Sequence, residues 1–354
     1  MKRICIAALM MVVSAACEPD EDYYTDFDYS KLAYLIADNY NLSTFSAGLK
    51  RTGFDQILME QGPYTVLVPS DEAFLSAGIG YDRIMTMPGS QLANMFGYHI
   101  LDGLYELDKL PFLFNQEVIT RGGDPVYITR WVKDQDTVIT VNGGTVHLRN
   151  IPASNGIAQV IDRVLASDVK KDVVDIISSR DELTLFAEAV RRAGLENTLR
   201  QLPSCTVFVP SNTAMASYGL STVQQIHNAD REAMARLVRY HVLPDRRFVN
   251  DFNLTIVPSL TGSFQVDYYN GATNEIVRAN APGAKRGSLI IRMLDGNRLT
   301  ATYTSGIMTV VTTAYPGIRL SIKDLTGGES IVSVANRDHV SHNGLVHVID
   351  RVLR

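Results

Sequence analysis

The sequence predicts an α+β fold made of one unit that occurs twice. Three observations carry this prediction: the same motifs recur in the same order, helix-type spacing of apolar residues comes early in each unit, and alternating strand-type segments come late. The 354 residues suit two domains, and 46% hydrophobic with 20% charged residues is the composition of a folded chain. The net charge of −5 argues against a nucleic-acid partner, because such proteins normally carry a basic face.

The repeat rests on three motifs that occur in both units. They are a Thr-Val-x-Val-Pro-Ser box, a later Tyr-His pair, and an ending that starts with Asn-Gly and in which eight of eleven positions are identical. We predict two domains, at 29–168 and 169–354. The motif residues expected to serve the fold are Pro69, Ser70, Tyr98, His99, Asn155, Gly156 and Asp162 in the first unit, and Pro210, Ser211, Tyr240, His241, Asn343, Gly344, His347 and Asp350 in the second.

The N-terminal residues are predicted to be an export signal and a tether. A basic start precedes ten apolar residues and a small-residue segment, which is too short to span a bilayer and is typical of a secretory signal over 1–16. Its Ser-Ala-Ala-Cys ending resembles a bacterial lipobox, which implies lipidation of Cys17. The acidic stretch in 17–28 predicts an extended tether and resembles the surface-export signal of Bacteroidetes lipoproteins. An ordinary signal with an incidental cysteine is the alternative.

Each unit is predicted to begin with helices. Leu42, Phe45 and Leu49 recur at the spacing of one helix face, and Gly53 follows where such a helix would end. A second helical stripe follows within 92–96.

The Pro-Ser box is predicted to join a buried strand to a helix. Residues 65–68 are apolar or β-branched, Pro69 ends the strand, and Ser70 is placed to cap the next helix. The later part of the first unit alternates apolar and polar residues, which predicts a series of strands. They are expected at 117–120, 126–132, 138–141, 146–148 and 160–165.

The second unit carries an insertion that the first lacks. The distance from the His of the Tyr-His pair to the Asn of the Asn-Gly ending is 56 residues in the first unit and 102 in the second. The additional segment, near 265–315, alternates apolar and polar residues between Gly-rich breaks. It is therefore predicted to form further strands or a long hairpin.

Polar residues within the apolar segments are predicted to be structural. Asp162 and Asp350 share a strand face with valines by alternation, so we expect buried carboxylates that accept hydrogen bonds from backbone N–H groups. His99 and His241 are expected to bond locally at a helix-to-strand junction. Cys205 precedes an apolar strand and is expected to be buried.

Together the three motifs resemble those of fasciclin-like (FAS1) domains, and two such domains would cover nearly the whole mature chain. The resemblance implies a compact β-sandwich with helices packed on one side and around its edge. It also implies extracellular adhesion or binding, without enzymatic activity. Two departures from the family pattern stand out: Gln159 replaces the histidine that His347 keeps, and the second Pro-Ser box lacks the acidic pair and the phenylalanine of the first.

The remaining motifs favour binding over catalysis. The sequence has no nucleophile elbow, phosphate loop or dinucleotide fingerprint, so no catalytic residue and no cofactor is predicted. Asp338, His339, His342 and His347 are the densest metal-capable group, but Asn343-Gly344 breaks their segment and no metal is predicted. We expect an adhesion or interaction module that is held at the outer membrane by its lipid alone and binds a surface protein or glycan. An accessory lipoprotein of a SusC/SusD-like nutrient importer is the alternative.

The insertion is the predicted partner surface. The first unit folds without it, and segments added to a rigid scaffold often carry recognition. Its basic and aromatic side chains suit an acidic glycan or a partner protein, and a plain extension of the sheet is the alternative. The candidate residues are Tyr268, Tyr269, Arg278, Lys285, Arg286, Arg292 and Tyr303.

Overall fold

The computed structural model describes residues 28–166, 171–270, 273, 275–310 and 313–354. The predicted export signal, Cys17 and the tether up to residue 27 lie outside the described residues. In the described part of the chain, no helix is long and apolar enough to span a membrane.

The first copy of the repeat places its helices ahead of most of its strands. The helices are α1 (Leu32–Ala37), α2 (Ser43–Thr52), α3 (Phe54–Ile57), α4 (Asp71–Ser76), α5 (Tyr81–Thr86) and α6 (Gly89–Gly97), with 3-10 turns at Tyr40–Leu42 and Leu107–Lys109. The strands are β1 (Tyr64–Pro69), β2 (Ile100–Asp102), β3 (Gln116–Ile119), β4 (Pro125–Lys133), β5 (Asp136–Val141), β6 (Gly144–Ala153) and β7 (Gly156–Ile161).

The strands of the first copy form a sheet that folds over into a sandwich. Their order is β2-β1-β7-β6-β5-β4-β3, with β1 and β7 parallel at its centre. The start of β6 pairs with β5 and the rest pairs with β7 after register shifts, so the sheet turns at β6. Side chains of β1 alternate between two layers: Val66 and Val68 pack against the helices, whereas Leu67 packs inside the sandwich.

The second copy repeats this plan. Its helices are α7 (Val173–Ser178), α8 (Thr184–Ala193), α9 (Glu196–Arg200), α10 (Asn212–Tyr218), α11 (Val223–Asn228), α12 (Arg231–Tyr240) and α13 (Val249–Thr255), with a 3-10 turn at Asp181–Leu183. Its strands are β8 (Cys205–Pro210), β9 (Val242–Leu243), β10 (Leu260–Asn270), β11 (Glu275–Arg292), β12 (Arg298–Val310), β13 (Thr313–Lys323), β14 (Glu329–Ile331), β15 (His339–Ser341) and β16 (Gly344–Ile349).

The central pair of strands is the same in both copies. β8 and β16 run parallel with Cys205 opposite Gly344, just as Tyr64 lies opposite Gly156 in the first copy. The predicted α+β class and the helix-flanked sandwich are confirmed, and Cys205 is fully buried as expected. The strand predicted at 160–165 is wrong in its bounds, because β7 ends at Ile161.

The four long strands β10–β13 form what we call the arm. They pair in chain order, and β10 also pairs with β13 where Asp267 lies opposite Ile318, so part of the arm closes on itself. The small side chains of Ala281 and Ala284 pack there against Val266. The other part of the arm contributes Leu299 and further apolar residues to the core of the second copy. The arm is therefore integral to the fold as well as additional to the repeat.

Candidate functional site

The histidines of the Tyr-His pairs are fully buried and form hydrogen bonds within the fold as neutral side chains. The Nδ1 atom of His99 donates to the carbonyl of Met95 at 2.8 Å, and its Nε2 atom accepts from the amide of Leu165 at 3.0 Å. His241 makes the equivalent two contacts at 2.7 and 3.0 Å. Burial lowers the pKa of both imidazoles to about 4, so each joins a helix end to the last residues of its copy without carrying charge.

The tyrosines beside these histidines also bond inside the fold. The hydroxyl of Tyr98 donates to the carbonyl of Pro125 and accepts from the amide of Asn142, both at 2.8 Å. The hydroxyl of Tyr240 accepts from the amide of Leu325 at 3.1 Å. Burial raises the pKa of both phenols, that of Tyr240 to about 12, so they stay protonated.

The Asn-Gly ending ties the first helix of each copy to the central strands. Asn155 accepts from the amide of Leu32 at 2.9 Å and donates to the carbonyl of Leu58 at 2.7 Å, and Asn343 fixes α7 in the same way. The following glycines allow close backbone approach. A Cβ on Gly156 would lie 2.0 Å from the carbonyl oxygen of Tyr64, and one on Gly344 would lie 2.3 Å from a carbonyl oxygen of β8.

The Pro-Ser boxes cap helices. Ser70 and Ser211, which follow the prolines Pro69 and Pro210 that end β1 and β8, each accept from the amide three residues on at 3.2 Å. In the second box, Asn212 takes the place of Asp71, the first acid of the first box.

That replacement is visible in the contact with the preceding helix. In the first copy the carboxylate of Asp71 accepts from the amides of Ser43 and Thr44 at the start of α2. In the second copy the side-chain oxygen of Asn212 accepts from the amide of Leu185 at 2.9 Å, at the start of α8. An amide oxygen therefore serves the same purpose as the carboxylate.

The paired aspartates bond as predicted but are not buried. Oδ1 of Asp162 accepts from the amide of Thr145, and Oδ1 of Asp350 accepts from the amide of Ile331, both at 2.7 Å. The predicted burial is wrong for both, since their side chains are exposed. The physical reason is that the strand ends at the residue before the aspartate in each copy, at Ile161 and at Ile349. The alternation that would place the carboxylate among valines therefore does not reach the aspartate.

Gln159, which stands where the second copy has His347, forms the same kind of hydrogen bond as that histidine. His347 is fully buried, accepts from the amide of Asp338 at 3.0 Å through Nδ1, and contacts the carbonyl of Arg247 at 2.9 Å through Nε2. Gln159 accepts from the amide of Asn150 at 2.9 Å in the equivalent place. Both amides belong to residues with positive φ, 57° at Asp338 and 50° at Asn150. A side chain that accepts one hydrogen bond holds this strained backbone in each copy.

The two copies are joined by a buried ion pair. Nη1 of Arg163, in the first copy, lies 2.7 Å from Oδ2 of Asp338, whose side chain is fully buried in the second copy. Burial is the largest single influence on the pKa of Asp338 and would raise it, but Arg163, His347, Arg337 and the amide of Val249 together outweigh burial and lower the pKa to about 2. The carboxylate also accepts from the amide of Val249 at 2.8 Å. From the sequence, Asp338 was predicted only to be a metal-capable residue.

Further contacts between the copies surround α13. The guanidinium of Arg246 lies 3.9 Å from the centre of the Tyr127 ring, and the ring of Phe248 packs against the same tyrosine. The amide of Asn115 donates to the carbonyl of Arg246 at 2.7 Å. Repetition within one chain gives no sign of which surfaces of the copies meet, so these contacts could not be predicted from the sequence.

Asp251 lies in the same interface and is fully buried. Its carboxylate accepts from the amide of Phe248 at 2.9 Å and lies 3.4 Å from the side chains of Asn115 and Thr129 of the first copy. Burial raises its pKa to about 7. In contrast to Asp338, it has no cation within ion-pair distance among the described residues.

The arm also touches the first copy. The hydroxyl of Tyr269 donates to the carbonyl of Leu75, at the end of α4, at 3.1 Å. Lys285 lies 3.7 Å from Asp134 in the turn between β4 and β5. Two of the residues predicted to contact a partner therefore contact the other copy of the same chain.

Three more of the predicted partner residues are either buried or bonded to another residue of the arm. Tyr268 and Tyr303 are each 6% exposed, so their prediction as partner contacts is wrong. Alternation along β12 turns Tyr303 into the core of the second copy, and Tyr268 lies where β10 pairs with both β11 and β13. Arg278 is bound to Asp267 by two hydrogen bonds of 2.6 and 3.1 Å, which raises its pKa.

The two remaining candidates share a face of the arm with cations that the sequence analysis missed. Arg292 pairs with Arg298 across β11 and β12, and both are exposed. Arg286 lies further along the same face, since residues at even spacing in a strand point the same way. The Asp295-Gly296 dipeptide between the strands is a hairpin signal that would have predicted the turn. It would not have predicted the register, because a two-residue loop at this dipeptide would place Arg292 opposite Leu299 instead of Arg298.

No metal centre is visible in the part of the chain that the structure describes. Within these residues no group of three or more His, Cys, Asp or Glu side chains lies close enough to hold a metal ion. Of the metal-capable segment, His347 and Asp338 take part in the contacts given above, and Nδ1 of His342 lies 3.2 Å from the carbonyl of Lys171.

Comparison with known proteins identifies a family model over two regions. The model described as the fasciclin domain matches residues 40–167 and 181–284. Human periostin is 28% identical over 228 residues, which cover 63% of this chain and 25% of periostin. Pig transforming growth factor-beta-induced protein ig-h3 is 22% identical over 293 residues, covering 82% of this chain and 35% of that protein. The chain thus spans only a quarter to about a third of these relatives.

Shorter relatives and a solved structure are similar as well. Protein sll1483 of Synechocystis is 28% identical over 133 residues, covering 37% of this chain and 70% of that protein. A solved FAS1 domain pair from the insect cell adhesion molecule fasciclin I shares 19% identity, covers 90% of this chain and 98% of its own, and superposes with a TM-score of 0.35.

Proposed function

This chain belongs to the fasciclin domain family, and from that premise we propose that it is a non-enzymatic adhesion or interaction module displayed at the cell surface. One observation carries the proposal. The polar residues of the repeated motifs are engaged in hydrogen bonds within their own copy, whereas exposed cations collect on the arm, which the repeat does not need. Recognition would then be a property of the arm and the scaffold would present it.

We further propose that a lipid at Cys17 anchors the module to the outer membrane. The support is the order of a basic start, an apolar segment, small residues and the cysteine, followed by acidic residues. Cells grown with a labelled fatty acid should mark the wild-type chain and leave Cys17→Ser unmarked. Equal labelling of the two chains would contradict the anchor and leave the adhesion proposal standing.

Adhesion is tested with the full mature chain on beads. Beads that carry it should bind cells of the source organism, and soluble chain should compete with them. Albumin-coated beads provide the baseline. Binding no higher than this baseline would contradict adhesion. Co-purification with an outer-membrane importer would support the accessory role instead.

Deleting residues 270–307 is not a clean test of the arm. That segment includes Ile291, Leu299 and Ala301, which are buried in the core of the second copy. Point substitutions of exposed residues are therefore the appropriate perturbation.

A further inference from the structure

We propose that the face of β11, β12 and β13 opposite the core of the second copy binds an acidic polysaccharide. We call this surface the basic face and define it by five cations. They are Arg286, Arg292, Arg298, Arg319 and Lys323. The inference rests on the proposed function and deepens it, because it names a class of partner for the adhesion module.

Strand register places these cations on one surface. Arg292 lies opposite Arg298, and Lys323 lies opposite Thr300, which is two residues beyond Arg298 on the same side of β12. Four residues further, Thr304 has Arg286 on one side and Arg319 on the other. Thr304 itself is only 1% exposed and accepts a hydrogen bond from Arg286, so the partly exposed guanidinium groups are what this end presents. At a rise of about 3.3 Å per residue the cations occupy both ends of a strip about 20 Å long. A strip of this shape suits a linear ligand with several charges.

The charges of the basic face are not neutralised by the fold. Arg292, Arg298, Arg319 and Lys323 form no ion pair with any residue that the structure describes. Glu329 of β14 lies opposite Lys323 in the sheet, at its edge and outside ion-pair distance. Nη1 of Arg319 is buried without a hydrogen-bond partner among the described residues. Cations that have no acidic partner in the fold are available to an anionic ligand.

The groups between the cations favour a sugar over a nucleic acid. Ser288, Thr300 and Thr302 lie on the same face, and the hydroxyls of Ser288 and Thr302 are 2.9 Å apart. Hydroxyls can exchange hydrogen bonds with sugar hydroxyls, and the cations would pair with carboxylate or sulfate groups. Single-stranded nucleic acids need exposed aromatic rings for stacking. The aromatic ring beside this face, Phe264, lies under the guanidinium of Arg286 at 4.9 Å.

The test measures binding of the full chain to defined polymers. Chondroitin sulfate and polygalacturonate supply sulfate and carboxylate groups, dextran is the neutral polymer, and a DNA duplex is the polyanion without acidic sugars. The test variant is Arg292→Ser, Arg298→Ser, Lys323→Ser. The matched control, Lys50→Ser, Arg83→Ser, Arg236→Ser, removes three exposed cations elsewhere.

We expect the chain to bind at least one acidic polysaccharide, not dextran, and DNA more weakly. At about 100 mM salt the test variant should bind about tenfold more weakly than wild type, with a smaller dependence on salt, and the control should change less than about twofold. Equal losses in the two variants, no binding of either acidic polysaccharide, or DNA binding as tight as polysaccharide binding would each overturn the proposal.

Two additions keep the result interpretable. Circular dichroism and melting establish whether each variant is folded. If the triple variant is unfolded, Arg298→Ser alone replaces it, because Arg298 is exposed beside the hairpin turn. The bead assay on cells separates the two proposals. Cell binding without polysaccharide binding refutes only the ligand class, whereas loss of both refutes the adhesion module as well.

Discussion

Replacing Arg163 with methionine tests whether a buried ion pair holds the two copies together. Methionine keeps much of the aliphatic bulk of arginine but removes the guanidinium that lies 2.7 Å from the carboxylate of Asp338. The carboxylate is fully buried, so it would lose its nearest cation without gaining water.

The expected cost follows from what Asp338 retains. Removing one partner of a buried ion pair costs about 3–5 kcal/mol of unfolding free energy. Here the amide of Val249 still donates at 2.8 Å, and Nε of Arg337 lies 3.8 Å away. Arg163 is itself 27% exposed, which screens part of its charge. We therefore expect a loss of about 2–3 kcal/mol.

Denaturant unfolding of four chains measures this interaction: wild type, Arg163→Met, Asp338→Asn and the double variant. Asp338→Asn keeps an acceptor for the amide of Val249 but removes the counter-charge of Arg163 and of Arg337, whose side chain is 17% exposed, so it should also be destabilising. The double variant should lose less stability than the sum of the two single variants, because the Arg163–Asp338 interaction is counted in both single losses. A loss below about 1 kcal/mol for Arg163→Met, or strictly additive effects, would refute the reasoning.

Other substitutions probe the remaining features. The pKa of Asp251 is about 7 in the folded chain, against its ordinary value of 3.8. Its contribution to folding stability is therefore fully present below pH 3.8 and is lost as the pH rises through 7. Asp251→Asn should therefore match wild type near pH 4 and exceed it above pH 7 in melting experiments; a constant difference across this range would contradict the assignment. Asp350→Ala should cost about 0.5–1.5 kcal/mol and Asp350→Asn less, since only the latter keeps an acceptor for the amide of Ile331. Equal melting temperatures would speak against that hydrogen bond. Gly344→Ala should cost about 1–3 kcal/mol or more, because its Cβ would meet a backbone carbonyl at 2.3 Å, and an unchanged melting temperature would show that the strands can separate to admit it.

The fold was largely predictable because its determinants are local and occur twice. The Pro-Ser box contains both the end of β1 and the cap of α4 within a few residues, so composition alone indicates the strand-to-helix junction. Asp162 shows where local reasoning fails. Alternation predicts burial only while the strand continues, and the strand ends at Ile161. The sequence has no proline or glycine at that point to mark the end.

The candidate site was predictable only in part, because it depends on pairing. The sequence identified the insertion and two of the five cations of the basic face. The other three lie on β12 and β13. Their place on the basic face follows only from register, which places Thr300 opposite Lys323 and Thr304 opposite Arg319. The contact of Lys285 depends on pairing as well, since Asp134, 3.7 Å away, lies in the other copy.

The ion pair between the copies has a consequence for how whole molecules meet. A head-to-tail contact between equivalent units can continue without limit and produce a filament. By the repeat, Arg351 corresponds to Arg163, and it is exposed. The residue that corresponds to Asp338 is Asn150, which has no negative charge and donates its amide to Asp108 at 2.6 Å. The arginine of one molecule would thus meet an amide where Asp338 lies in the second copy, and the neighbouring carboxylate of Asp108 is already bound to that amide. The ion pair that joins the two copies is therefore not set up to repeat between molecules.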